Sequence, residues 1–249
     1  MKVLSQYREI YAVLRKEKIK MKKLINIAII CILNLVLLYS QTNEEIIKKA
    51  VNSYYTDDNH ENWIKGSSSV LKEKGKSEFF YGINNLSDKD PATAWVEGNP
   101  SEGIGEYILL FVPRINEKGR RLSFSYDEDN DIKIFLNVTN GYCKSEDLFY
   151  KNNRVKKARI TIYDVPVTAS VNSIYVKGEP VKIKEEIIEL TDDLRIPQSF
   201  TFITKLNKNK DAPKPKVVLK FEILEVYKGT KYNDTAISEI EVWGEYVTK

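Results

Sequence analysis

In the stretch SDKDPATAW, Asp88, Asp90 and Thr93 fall within six positions on a turn made by Pro91. Oxygens spaced this way can converge with main-chain carbonyls of the same loop, which suits a hard cation that takes about six to eight oxygen ligands, namely calcium. The same spacing also serves a plainer purpose, in which Asp88 and Asp90 only cap the turn through their side chains. Other reactive groups are scarce. The chain holds one histidine, His60, too few for a zinc site of two or three histidines and outside the strand-rich region where a Ser-His-Asp relay would have to sit. Cys31 lies in an apolar leader, so Cys143 is the one thiol after it and no intramolecular disulfide forms there. A free cysteine of this kind is usually a small buried side chain and not a nucleophile. The acid runs Asp127-Glu128-Asp129, Glu185-Glu186 and Asp192-Asp193 read as turns and solvated edges. GIG at 103–105 lacks the third glycine of a dinucleotide fingerprint, and no P-loop is present. An enzyme is therefore not expected.

Two loops carry the chemistry of ligand binding. Around VEGNPSEGIGEY, the side chains of Glu97, Asn99, Glu102 and Glu106 are expected to face solvent, with Gly98, Gly103 and Gly105 letting the backbone bend or approach a ligand. NGYCKSEDLFYKNNR, read as a loop, adds Asn140, Tyr142, Lys144, Tyr150, Asn152, Asn153 and Arg154. A hydroxyl-rich glycan needs fixed carboxylates and amides together with an aromatic face for its C–H surface. The candidate ligand set is Glu97, Asn99, Glu102, Asn140, Tyr142, Lys144, Tyr150, Asn153 and Arg154; the alternative is that these residues only make turns. Trp95, at the start of a strand, is expected to plug the core with its indole N–H on a local acceptor.

The elements that must hold these loops are strands. EYILLFV (106–112), RLSFSY (121–126), DIKIFLNV (131–138), ARITIYDV (158–165), NSIYVKG (172–178), VKIKEEIIEL (181–190), QSFTFITKL (198–206), VVLKFEILEVY (217–227) and AISEIEVWG (236–244) are β-branched or aromatic-rich and bounded by turn residues. Nine such runs with no convincing helix between them predict an antiparallel all-β sandwich or jelly roll. Before it, Ile46, Ile47, Ala50 and Tyr54 have helical spacing, so residues 41–63 form a helical or irregular lead-in to a domain over 64–249. Residues 24–39, LINIAIICILNLVLLY, follow KIKMKK and end at Ser40-Gln41, the pattern of a signal peptide over 1–40, with an uncleaved anchor as the alternative. Met21, followed by two lysines, is the more typical start. Eight of the 39 basic residues but only two of the 35 acidic ones precede position 41, leaving 31 against 33. The positive charge thus belongs to the leader, and nucleic acid is not an expected partner. The absence of a disulfide points to a bacterial exported protein.

Four segments, SSSVLKEKGKSEFFYGINNLSDKDPATAWVEGNPSEGIGEYILLFV, NGYCKSEDLFYKNNRVKKARITI, IPQSFTF and VLKFEILEVYKGTKYNDTAISEIEVWG, resemble in this order the NADase-type glycan-binding domains, which are discoidin-like (F5/8 type C-like) domains. The resemblance runs from about Ile64 to Gly244, and TAWVEG paired with DTAISEIEVW is its specific part. It implies a galactose-binding-like jelly-roll β-sandwich that, in secreted bacterial NAD glycohydrolases, assists attachment or translocation and is not the enzyme. It also implies a structural calcium held by the 88–93 loop and a glutamate of the last strand, Glu239 by motif position, although Glu241 shares its strand parity. These domains usually have glycine where this chain has Lys89, which brings a like charge to any cation and does not readily adopt positive φ. The function implied is a non-catalytic, secreted, periplasmic or cell-surface module for glycans or glycoconjugates, with envelope association among its expected settings. The alternative is an adhesion or scaffold module that binds protein or envelope components without sugar affinity.

Overall fold

Strict alternation in β6 (Asp131–Asn140) sends Ile132, Ile134, Leu136 and Val138 to one side, all fully buried, and Lys133, Phe135 and Asn137 to the other. That local parity is what makes a two-layered sandwich possible, because each strand offers one apolar face to a shared core. The computed structural model describes residues 17–31, 43–51, 64–116, 118–126, 131–170, 173–207 and 214–247. It divides into two units, 1–46 and 47–249. In the first, residues 17–31 are helical; the rest of the apolar leader lies outside the described residues. No helix among the described residues is long and apolar enough to cross a membrane. Residues 43–51 are helical, as the spacing of Ile46, Ile47 and Ala50 predicts.

The second unit holds the strands. One layer runs β1 (Ile64–Ser67), β3 (Tyr107–Phe111), β11 (Lys214–Tyr227) and β7 (Asn153–Ser170), with β8 (Ser173–Val176) and β9 (Val181–Glu189) on the far edge of β7. The other layer runs β10 (Gln198–Lys205), β6 and β12 (Thr235–Tyr246), with β2 (Trp95–Val96) and the pair β4 (Arg114–Ile115) and β5 (Arg121–Leu122) beside β12. The expected antiparallel pairing holds almost throughout. Among the described residues three short parallel contacts are the exceptions: β12 meets β7 at Asn153 and Arg154, joining the layers, meets β4 at Arg114, and bridges from Ile237 to Gly141. The core between the layers draws Ile108 and Leu110 from β3, Ile160 and Ile162 from β7, Leu219 and Phe221 from β11, and Ile240 and Val242 from β12. Each such side chain contributes about 1.5–3 kcal/mol on burial.

All nine strand segments read from the sequence are present, although RLSFSY contributes only Arg121–Leu122. Three more, β1, β2 and β4, are two to four residues long, too short to display a period. β11 begins three residues before VVLKFEILEVY, with Lys214–Lys216 paired against Val165–Val167. The NGYCKSEDLFYKNNR segment is not all loop. Glu146–Lys151 is a helix in which the Ser145 side chain accepts from the Leu148 N–H, two acids occupy the first turn and Lys151 the last. Trp95 is 0% exposed, and its indole N–H donates to the Ser69 carbonyl at 3.1 Å, the expected core plug.

Candidate functional site

The 88–93 turn is built by its own side chains. Asp88 Oδ1 accepts from the Asp90 N–H at 2.9 Å, Asp90 Oδ1 from the Ala92 N–H at 2.9 Å, and Asp88 Oδ2 from the Thr93 hydroxyl at 2.7 Å. The Ser238 hydroxyl donates to the Pro91 carbonyl at 3.1 Å and fastens the turn to β12. This network over-determines the backbone and imposes a left-handed conformation on Lys89, φ 64°. The backbone thus keeps the geometry suited to glycine, and the lysine is strained into it. Beside the turn, Glu239 from β12 is pushed up to about 7, first by burial and then by the Asp88 carboxylate, against the N–H groups of Lys89 and Asp90 that hydrogen-bond to it. Its Oε1 is buried without a hydrogen-bond partner.

A carboxylate crowded by another carboxylate, with an unsatisfied buried oxygen, is what a cation would relieve. Asp88, Glu239, the Thr93 hydroxyl and nearby carbonyls therefore fit a calcium ion, with water needed to complete its shell. Asp90 does not join them. Among the described residues no three His, Cys, Asp or Glu side chains gather closely enough to hold a metal, and Asp90 spends its carboxylate on the Ala92 N–H. Of the four expected ligands, the Thr93 hydroxyl and the Glu239 carboxyl each meet the Asp88 carboxylate, while Asp90, like Asp88, caps the turn.

A second concave feature is a groove of about 460 Å³ whose walls include Tyr81, Tyr142, Tyr232, Glu73, Asp234 and Asn152. Its apolar lining, Leu71, Val96 and Leu148 with the Tyr81 and Tyr142 rings, belongs to a satellite cluster that also holds Ala94 and Ala236. Tyr81 donates to Glu73 Oε2 at 2.8 Å and meets Tyr142 edge to face, ring centres 6.3 Å apart. Burial, and then Glu73, push the Tyr142 hydroxyl up. Burial raises Asp234 too, with Glu73 adding to the effect. Tyr232 arrives from a loop pinned to the helix C-terminus: the N–H groups of Lys231 and Tyr232 both donate to the Lys151 carbonyl, at 3.2 and 2.8 Å. Gly229 permits that approach, because a Cβ there would lie 2.4 Å from the Lys151 carbonyl oxygen.

The sequence-derived ligand set is only partly on this surface. Tyr142 lines the groove, Lys144 is exposed beside it in the chain, and Tyr150 is 42% exposed on the helix. Asn99 and Glu102 are half-buried; the Asn99 amide donates to Glu106 Oε1 at 3.2 Å, and Glu102 pairs with Lys228 at 2.6 Å. Four of the set require correction, since they are buried and their polar atoms already have partners. Glu97, expected to face solvent, is 0% exposed; Oε1 accepts from the Thr235 N–H at 3.1 Å and Oε2 from the Asn99 N–H at 2.6 Å. Its carboxyl is pushed up to about 7 by burial, which outweighs those two N–H groups, with Glu106 and Asp234 adding repulsion. Asn140 bridges to the Val155 N–H and C=O, and Asn153 joins Asn233 to Gly229. Arg154 is bidentate to Asp192 at 2.9 and 2.6 Å and caps the Asn152 and Lys228 carbonyls. Glu106, partly buried, is instead held below its usual range: burial would raise it, but hydrogen bonds from Ser68, Ser69 and Asn99 prevail. Sequence reading missed Glu73, Tyr81, Tyr232 and Asp234. Their local signals were FFYG and KYND, which mark turns but not a meeting place.

Comparison with known proteins bears on this arrangement. The model of the NAD glycohydrolase translocation F5/8 type C domain matches residues 54–243. No curated protein matches the chain. Among solved structures, a fragment of a putative chitobiase from Bacteroides thetaiotaomicron is 12% identical, covering 75% of this chain and 90% of its own, with a TM-score of 0.43. An F5/8 type C domain from Bacteroides fragilis is 14% identical, covering 74% and 92%, with a TM-score of 0.38. CBM32 of AlyQ in complex with 4,5-unsaturated mannuronic acid is 10% identical, covering 72% and 94%, with a TM-score of 0.31. The fold is an all-β, galactose-binding-like sandwich, and with the family model spanning most of the chain, the protein belongs to the NAD glycohydrolase translocation F5/8 type C domain family.

Proposed function

We propose that the chain is a non-catalytic glycan-binding module that takes sugar in the tyrosine groove. The observation that carries this reading is the groove itself, where the aromatic rings of Tyr81, Tyr142 and Tyr232 meet the carboxylates of Glu73 and Asp234 and the amide of Asn152. Rings supply a surface for sugar C–H groups, and fixed carboxylates and amides take hydroxyls. In the proposed arrangement calcium, held by Asp88, Glu239 and Thr93, stiffens the turn fastened to β12 and does no chemistry. Export by the leader would bring the module to a secreted, periplasmic or surface location, where glycans or glycoconjugates are its partners.

The full chain is screened on a glycan array and hits are measured by calorimetry, alongside Tyr232→Ala and Asp234→Asn. Tyr232 is 37% exposed, so its truncation leaves the core intact, and loss of about tenfold in affinity is expected for each variant. A folded protein that binds no carbohydrate, or hits indifferent to both substitutions, refutes the reading. The former result leaves the adhesion or scaffold alternative.

A further inference from the structure

We infer that the outward face of β6, β10 and β12 is a second ligand surface, a trough that takes a neutral, extended oligosaccharide independently of the tyrosine groove. Register puts the outward side chains of these strands in rows. Glu241 lies beside Asn137 and Asn137 beside Ser199; Trp243 lies beside Phe135 and Phe135 beside Thr201. The first row is linked, with the Ser199 hydroxyl donating to Asn137 Oδ1 at 2.7 Å and the Asn137 amide reaching Glu241 Oε2 at 3.5 Å. In the second, Phe135 and Trp243 stack with ring centres 5.1 Å apart and planes 14° from parallel. The Lys133 ammonium lies over the Phe135 ring, 4.7 Å from its centre.

Trp243 also borders a pocket of about 220 Å³ with Pro113, Ile115, Arg121 and Glu241. Glu241 also lines a second pocket, about 430 Å³, with Asn137, Thr139, Glu239, Arg195 and Lys89. One carboxylate thus joins two pockets into a trough, which runs roughly 13 Å along β12 from Glu239 to Trp243. The far rim carries both left-handed non-glycine residues among those described, Lys89 at φ 64° and Arg195 at φ 60°. Strain of this kind concentrates where a surface is held for binding.

Charge selects the occupant. Glu241 lies at the middle of the trough, while Arg121 borders one end and Lys89 and Arg195, whose guanidinium is anchored on the Cys143 and Lys144 carbonyls, the other. An acidic chain meets the Glu241 carboxylate at the centre, and a cationic one meets the guanidinium and ammonium groups at the ends. A neutral sugar chain meets neither penalty. It can lay a ring against the indole and hydrogen-bond to Glu241, Asn137 and Thr201.

The test uses the full chain labelled with ¹⁵N. The indole N–H resonance of Trp243, assigned by its disappearance in Trp243→Phe, is followed during titration with cellohexaose, chitohexaose and mannohexaose in turn, and with oligogalacturonate as the acidic comparison. At least one neutral hexasaccharide is expected to move the resonance saturably, and Glu241→Gln, at an exposed position, to weaken that titration about tenfold. A resonance unmoved by all three neutral probes, indifference to Glu241→Gln, or tighter binding of oligogalacturonate would overturn the inference. Because the readout is local to Trp243, sugar bound only in the tyrosine groove leaves it unmoved.

Discussion

Glu97 makes the stability of the domain depend on pH in a calculable way. Its carboxyl sits at about 7 in the folded chain against 4.5 for the free group, because burial penalises the charge more than the Thr235 and Asn99 N–H groups reward it. A raised folded value means that the folded state holds its proton where the unfolded chain has lost it. The contribution is therefore complete below pH 4.5 and is lost as pH rises through 7. Between pH 5.0 and 8.5 the unfolded carboxyl releases nearly two protonation decades more than the folded one, so the linkage relation gives a loss of about 2.5 kcal/mol from this residue alone. Glu97→Gln removes the titration while keeping the shape, and one amide hydrogen now faces a backbone N–H, so its intercept falls by about 1–3 kcal/mol. The difference in slope, and not the intercept, carries the test. Urea unfolding of both proteins at the two pH values, with chelator present throughout, should show the wild type losing about 2.5 kcal/mol more than Glu97→Gln. Parallel losses within about 0.5 kcal/mol would refute the argument that burial governs this carboxyl.

The calcium proposal predicts that calcium at 100 times its dissociation constant stabilises the chain by about 2.7 kcal/mol, seen as a rise in Tm, and that Asp88→Asn removes the rise. Lys89→Gly should relieve the left-handed strain, raising stability without calcium by about 0.5–1 kcal/mol after the entropy of glycine is charged against it, and should tighten calcium binding in the same titration. Arg154→Ala leaves Asp192 without its bidentate partner beside a buried strand junction, and should cost about 3 kcal/mol in denaturant unfolding. Gly229→Ala drives a Cβ to 2.4 Å from the Lys151 carbonyl oxygen, where no flexible side chain can yield. A loss of about 1–3 kcal/mol, together with weaker sugar binding as the Tyr232 loop lifts, is the expected result.

Much of this protein is a local matter. Strand identity follows from period-two alternation, so DIKIFLNV and AISEIEVWG declare both their conformation and the side chains they turn outward. The 88–93 turn is local as well, since Asp88, Asp90 and Thr93 hydrogen-bond within six positions. What alternation does not carry is whether an outward side chain meets water or another segment. Glu97 looks like a loop carboxylate until β12 brings Thr235 across 138 positions to cover it. Asn140, Asn153 and Arg154 have the composition of a binding loop, yet the parallel contact of β7 with β12 puts Asn153 and Arg154 at the junction of the two layers, and Asn140 is tied to the neighbouring Val155 backbone. The tyrosine groove joins Glu73 and Tyr81 to Tyr142 and Tyr232 from loops more than 150 residues apart at their extremes, and the Phe135–Trp243 stack exists only because two strands pair in one register of several. Strands, turn and family likeness are legible in the order of residues, because those depend on neighbours along the chain. Which carboxylates are buried and which aromatics share a surface emerges with the folded sandwich, because pairing and register are settled by the packing of the whole core.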